Sequence, residues 1–176
     1  MTAEDLFVIS SDDHKYELVA GTLVRMSPTG RAHGAVSVRV GRLLDEYVET
    51  HGLGVVCGAE TGFILRRGPD TVRAPDASFV RKERVPATGD PERYWPLAPD
   101  LAVEVLSPSD RAADVQAKLD DYFTAGAQLV WVIDPRERTV VVYRSMAEAS
   151  TLSETDEVTG GTVLPGFACP VRRFFA

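Results

Sequence analysis

The sequence is poor in the features that mark several common classes of protein. It holds only two cysteines in 176 residues, Cys57 and Cys169, with no CxxC pair. A CxxC metal or redox motif is therefore excluded, and two buried thiols are the expectation. No run approaches the roughly 20 consecutive apolar residues of a membrane-spanning helix. The opening MTAEDLF lacks the basic-then-apolar layout of a secretion signal. A soluble, cytoplasmic chain with no membrane partner is the reading. Repeats, linkers and low-complexity tracts are missing too, so nothing divides residues 1–176 into more than one domain. The hydrophobic content of 44% is ample for a single core.

Net positive charge is also lacking, at a formal −7. That balance is awkward for a chain that grips nucleic acid, because phosphate binding depends on cationic side chains displacing condensed counterions. The charge is unevenly spread, however. Arg66, Arg67, Arg73, Arg81, Lys82 and Arg84 gather in one basic segment, whereas Glu148, Glu154, Asp156 and Glu157 make a late acidic loop. The basic segment reads either as a phosphate-contacting patch or as a solvated face.

What is present is an alternation of helical and strand-like patterns. Ala3 to Phe7 reads as a short helix or a tail, and YELV and TLVRM flank Ala20-Gly21 as an N-terminal β-hairpin with a tight turn. Val36, Val40, Leu43, Leu44 and Tyr47 recur at helical spacing within a helix over 32–49, stopped by Gly52 and Gly54. Strand-like segments follow at 54–57, 60–65 and 77–80. Four prolines between Val85 and Pro99 predict an irregular loop. LAVEVL at 101–106 suits a central strand buried on both faces. Ser107 as cap and Pro108 at the first helical position predict a helix from there to about Ala125, closed by Gly126. LVWVI at 129–133 and a β-rich segment at 139–144 complete the pattern. The result is an α/β chain with a βαβ crossover over 101–133, whose site belongs near the strand ends.

Glu104 is the most informative residue, because a carboxylate inside LAVEVL is costly to bury without a partner. Either a cation joins it with a second carboxylate, or an arginine pairs with it, or it points out from an edge strand. Asp76 follows Pro75 at the start of a strand, a weak signal alone, since Pro69-Asp70 and Pro99-Asp100 repeat the dipeptide. On the helix after Ser107, the apolar face is set by Val115, Leu119, Tyr122 and Phe123. At about 100° per residue, Lys118 lies roughly 60° from Val115 and about 40° from Tyr122. It can reach inward, snorkel over apolar surface, or pair with Asp114. His33 and Glu17 are further candidates, read otherwise as a helix-end hydrogen-bonding group and a solvent-facing strand residue. Asp114 and Asp120 read as helix surface, and Trp95 and Trp131 as packing residues.

Three strings, PDASFV at 75–80, LAVEVLSPSD at 101–110 and KLDDYFTAGAQLVWVIDP at 118–135, resemble the Uma2 family of the PD-(D/E)XK restriction-endonuclease-like superfamily. YELVAGTLVRMSP at 16–28, His33 and LPGF at 164–167 extend the likeness over most of the chain. The resemblance implies a restriction-endonuclease-like core, a mixed β-sheet flanked by helices, and an endonuclease that hydrolyses phosphodiester bonds in DNA. It makes Asp76 and Glu104 metal ligands, and Lys118 a lysine relocated to the following helix, since Leu106 stands where the superfamily's strand lysine is usual. Two carboxylates favour a hard cation, Mg²⁺ or Mn²⁺, to which the Val105 carbonyl adds a ligand. Cutting both strands implies a homodimer. The alternative is a catalytically inactive nuclease-fold protein that binds or regulates.

Overall fold

The computed structural model describes residues 1–9, 14–86 and 90–176. It opens with a helix α1 (Ala3–Ile9) and the expected hairpin, β1 (Tyr16–Val19) and β2 (Thr22–Arg25). Its turn puts both Ala20 and Gly21 at positive φ, 48° and 78°, the geometry that matches the twist of two-residue hairpins. The long helix α2 (Arg31–His51) ends at Gly52, whose φ of 61° only glycine adopts without strain.

Four strands follow: β3 (Gly54–Gly58), β4 (Phe63–Arg66), β5 (Thr71–Arg73) and β6 (Ala77–Arg81). The three-residue β5 was not expected, being too short for an alternating pattern. The loop between Val85 and Pro99 forms no named strand among its described residues; positions 87–89 lie outside them. Then come β7 (Leu101–Val105), helix α3 (Ala112–Thr124), β8 (Leu129–Asp134) and β9 (Thr139–Ser145).

Two expectations are corrected here. Helix α3 starts at Ala112, not at Pro108. Residues 107–110 close their own turn instead: the Ser107 N–H donates to Asp110 Oδ2 at 2.7 Å, and the Asp110 N–H returns to the Ser107 carbonyl at 3.1 Å. Such local side-chain bonds compete with the first helical turn. The late acidic segment is not one loop either. Glu154 and Asp156 keep to a turn at 153–156, but Glu148 lies on β10 (Glu148–Leu152) and Glu157 on β11 (Glu157–Gly160), which pairs with β12 (Leu164–Pro170). Glu148 and Glu157 lie exposed on these strands while Val158, Leu164, Phe167 and Cys169 point inward.

The main sheet runs β10-β9-β8-β7-β6-β3, with β7 and β8 parallel and the other pairings antiparallel. A parallel pair joined through α3 is the expected βαβ unit. The pleat of β7 divides the core: Leu101, Val103 and Val105 pack toward α2, Trp131 and Phe174, while Ala102 faces Leu119 and Tyr122 of α3. Glu104 shares the Ala102 face. Trp131 is fully buried as a packing residue. A second sheet, β2-β1-β5-β4, is covered by α1 through Ala3, Leu6, Leu18 and Val72. Cys169 is buried and Cys57 only partly so, which corrects the expectation of two buried thiols. Among the described residues, no helix is long and apolar enough to cross a membrane.

Candidate active site

Asp76 stands immediately before β6, and its own groups extend the ladder with β7. Its N–H donates to the Val103 carbonyl at 2.9 Å, and its Oδ2 accepts the Val105 N–H at 2.8 Å. The paired register of β6 and β7 ends at Ala77–Val103, and Asp76 lies one residue beyond it, beside Glu104. The two carboxylates are close enough for the Asp76 charge to act on Glu104.

Glu104 is 7% exposed and faces α3. Lys118 Nζ donates to its Oε2 at 2.6 Å, and the Tyr122 hydroxyl donates to its Oε1 at 2.6 Å. Of the inward, snorkelling and Asp114-pairing options for Lys118, the structure takes the first. Burial pushes the Glu104 carboxyl up from its ordinary range; the Lys118 ammonium opposes this, and Asp76 and Glu17 reinforce it. Burial works against the Lys118 charge, yet Glu104 and Glu17 outweigh it and hold its proton more tightly than usual. Burial, and then the Glu104 charge, keeps the Tyr122 phenol protonated far above its normal range.

Glu17 proves to be 2% exposed, so the solvent-facing alternative is overturned. Its Oε2 binds Arg73 Nη1 at 2.8 Å, its Oε1 accepts the Ala74 N–H at 3.0 Å, and the same oxygen lies 4.0 Å from Lys118 Nζ. Arg73 turns its Nε and Nη2 to Asp121 Oδ2 at 2.9 and 2.7 Å. From the other side, His33 in the first turn of α2 sets Nε2 3.2 Å from Asp76 Oδ2. That hydrogen bond pushes the imidazole pKa up against the effect of burial.

Glu17 and Glu104, both buried, and the partly exposed Asp76 and Asp121 thus face Lys118 and Arg73, with His33 against Asp76. Buried anions in excess of their local cations favour an added positive charge. All of these acids offer oxygen donors, the chemistry of a hard divalent cation. Among the described residues, no three His, Cys, Asp or Glu side chains form a ready-made metal cage. The donor set fits a cation that brings its own water ligands, with Lys118 displaced from Glu104.

The basic segment is divided: Arg66, Arg67 and Lys82 are exposed, as the solvated-face reading has it. Arg73 is buried in the site. Arg67 is bound to Glu4 and Asp70, Arg84 to Asp100, and Arg81 to the Thr162 carbonyl. Internal ion pairs use the charge of Arg67, Arg73 and Arg84.

The family model "Uma2: Putative restriction endonuclease" matches residues 3–172. The chain belongs to the Uma2 family. Among solved structures, this Uma2 chain is similar to a protein from Anabaena variabilis ATCC 29413 described as "a putative nuclease belonging to DUF820". The TM-score is 0.83 and the identity 20%, over 99% of this chain and 97% of that one. At that identity the likeness is one of fold: a mixed α/β, restriction-endonuclease-like core. No match was found among curated proteins.

Sequence reasoning missed Tyr122, Arg73 and Asp121 as members of this Uma2 site. Tyr122 carried a usable signal: it follows Lys118 by four residues, one turn along the same helix face, and carries a polar tip. Arg73 carried none, because its neighbours in sequence disguised it as one of a surface run.

Proposed function

We infer that this Uma2 protein is a Mg²⁺- or Mn²⁺-dependent endonuclease acting on DNA, with Asp76 and Glu104 as cation ligands and Lys118 as its electrostatic catalyst. One observation supports the reading above the rest: the Asp76 and Glu104 carboxylates lie within reach of each other's charge, with the Lys118 ammonium 2.6 Å from the more buried one. When bound, a divalent cation activates water and neutralises charge on phosphate oxygens. Asp76 is fixed for this work by the Val105 N–H and His33, and the Val105 carbonyl is the third ligand in this reading. Lys118, released from Glu104, turns its ammonium to the phosphate oxygens as charge builds there. Glu17, held by Arg73 and the Ala74 N–H, keeps Lys118 charged and near. Water's oxygen bonds to phosphorus as the bond to one sugar oxygen breaks, leaving free 3′ and 5′ ends.

The test uses Mn²⁺ with plasmid, single-stranded DNA and RNA. The wild type is expected to cut DNA, and Glu104→Ala and Lys118→Ala each to lose about 100-fold or more in rate. Wild type that neither binds a divalent cation nor cuts any of these would sink the reading. A second reading, a binding protein without catalysis, is favoured by the capture of both Glu104 oxygens by Lys118 and Tyr122. It predicts that nucleic acid binds with no dependence on Mn²⁺. Residues 1–176 act as one domain in either case, and the endonuclease reading places two copies on a duplex, a state that sedimentation with DNA measures.

A further inference from the structure

The two oxygens of Glu104 are held by very different groups. Oε2 takes Lys118, a flexible, 19% exposed side chain with a second carboxylate, Glu17, 4.0 Å away. This ammonium can leave Glu104 and still face an anion. Oε1 takes the hydroxyl of Tyr122, whose ring is fully buried among Ala102, Leu119, Val130 and Val132. It cannot withdraw without unpacking α3 from the sheet.

We propose that Tyr122 is a positioning residue that reserves Oε1 of Glu104 and leaves only Oε2 for a cation, so that the centre selects Mg²⁺ or Mn²⁺ over Ca²⁺. The inference rests on the metal-dependent reading above. Ca²⁺ takes six to eight oxygens in flexible geometry and often grips a carboxylate through both, whereas Mg²⁺ needs an octahedral set and keeps several waters. A carboxylate restricted to one free oxygen suits the second. Hydrogen bonds to a ligating group also orient it, and their loss typically costs about 10- to 100-fold in metal affinity.

The experiment titrates Mn²⁺ and Ca²⁺ separately, by calorimetry, into the full-length wild type and Tyr122→Phe. Mn²⁺ binding is expected to weaken about tenfold in the variant. Ca²⁺ binding, gaining the freed oxygen, weakens less or tightens, so the selectivity ratio contracts. An unchanged ratio overturns the role of Tyr122, since a tyrosine that only packs would alter stability and not cation preference. Wild type that binds no Mn²⁺ overturns the metal reading and this role with it, which separates the two failures. If Tyr122→Phe does not fold, a Mn²⁺-soaked wild-type crystal decides. The cation on Oε2 with the Tyr122 bond to Oε1 retained supports the proposal, and a cation on both oxygens overturns it.

Discussion

Strand β7 carries a buried carboxylate at each end, and the two are handled in opposite ways. Asp100, just before Leu101, is fully buried. Its Oδ2 accepts the Arg81 N–H at 2.9 Å and its Oδ1 is 2.8 Å from Arg84 Nη1, with Arg81 Nε 3.8 Å away. One acid is enclosed by two guanidinium groups and a backbone donor. Glu104, at the far end, is gripped just as tightly, yet it sits among further carboxylates that its cations do not balance. Burial of an acid therefore does not mark a site; the balance of charge around it does. At the Asp100 end the charges close on themselves and hold the loop before β7 to β6. At the Glu104 end the proposed function adds one more cation.

The comparison breaks most visibly under substitution of the closed acid. Asp100→Ala strands Arg84 and leaves the buried Arg81 N–H without its acceptor, so a loss of about 3 kcal/mol is expected in urea unfolding. Mn²⁺ affinity should not follow it, because the two ends lie about 13 Å apart along the strand. Equal loss of metal affinity in Asp100→Ala would erase the distinction between the two ends. The next effect is one of ligand linkage. At free Mn²⁺ a hundredfold above its Kd, the wild type should gain about 2.7 kcal/mol, and Glu104→Gln none. Thermal unfolding with and without Mn²⁺ reads this directly, and a Gln variant stabilised as much as the wild type would place the cation elsewhere.

Those two ends were unequally legible in the sequence. Glu104 stood out because a lone carboxylate in an apolar strand must find a partner, whereas helical phase left Lys118 open among reaching inward, snorkelling and pairing with Asp114, and only the family resemblance brought it to Glu104. Asp100 carried no such mark: it lies at the edge of a proline-rich loop, and its burial follows from the packing of β6 against β7. The hydroxyl partner of Tyr122 is likewise a tertiary fact, since helical phase reports which face is buried and not what a polar tip meets there. Glu17 lies on a four-residue strand, too short to reveal its face, and its partner Arg73 comes from a three-residue one. The start of α3 was misplaced because Ser107, Pro108 and Asp110 serve a turn as readily as a helix end. The fold's main lines survived these errors, because long periodic segments, α2 and the two strands of the crossover, set them.

The smallest expected effect concerns the sign of the pH dependence, and it sets Glu104 against a second closed acid. Asp70 accepts the Ala3 N–H at 2.8 Å, the Gly68 N–H at 3.2 Å and Arg67 Nη1 at 2.8 Å. Led by the Ala3 bond, these donors hold its carboxyl below the usual 3.8. The folded protein therefore binds the Asp70 proton less tightly than the unfolded chain does. Its contribution is present above pH 3.8 and is lost as the pH falls through the depressed value. Glu104, raised from 4.5, does the reverse: its contribution is complete below 4.5 and fades as the pH rises. Asp70→Asn should thus cost about 1 kcal/mol near neutrality, with the difference closing in acid. For Glu104→Gln without metal, the wild type should lose ground to the variant as the pH climbs from 4.5 toward 7, and saturating Mn²⁺ should abolish that trend. Parallel pH profiles for the two variants would mean that Glu104 is as fully neutralised by its own neighbours as Asp70 is, and the anionic excess that calls for a cation would be gone.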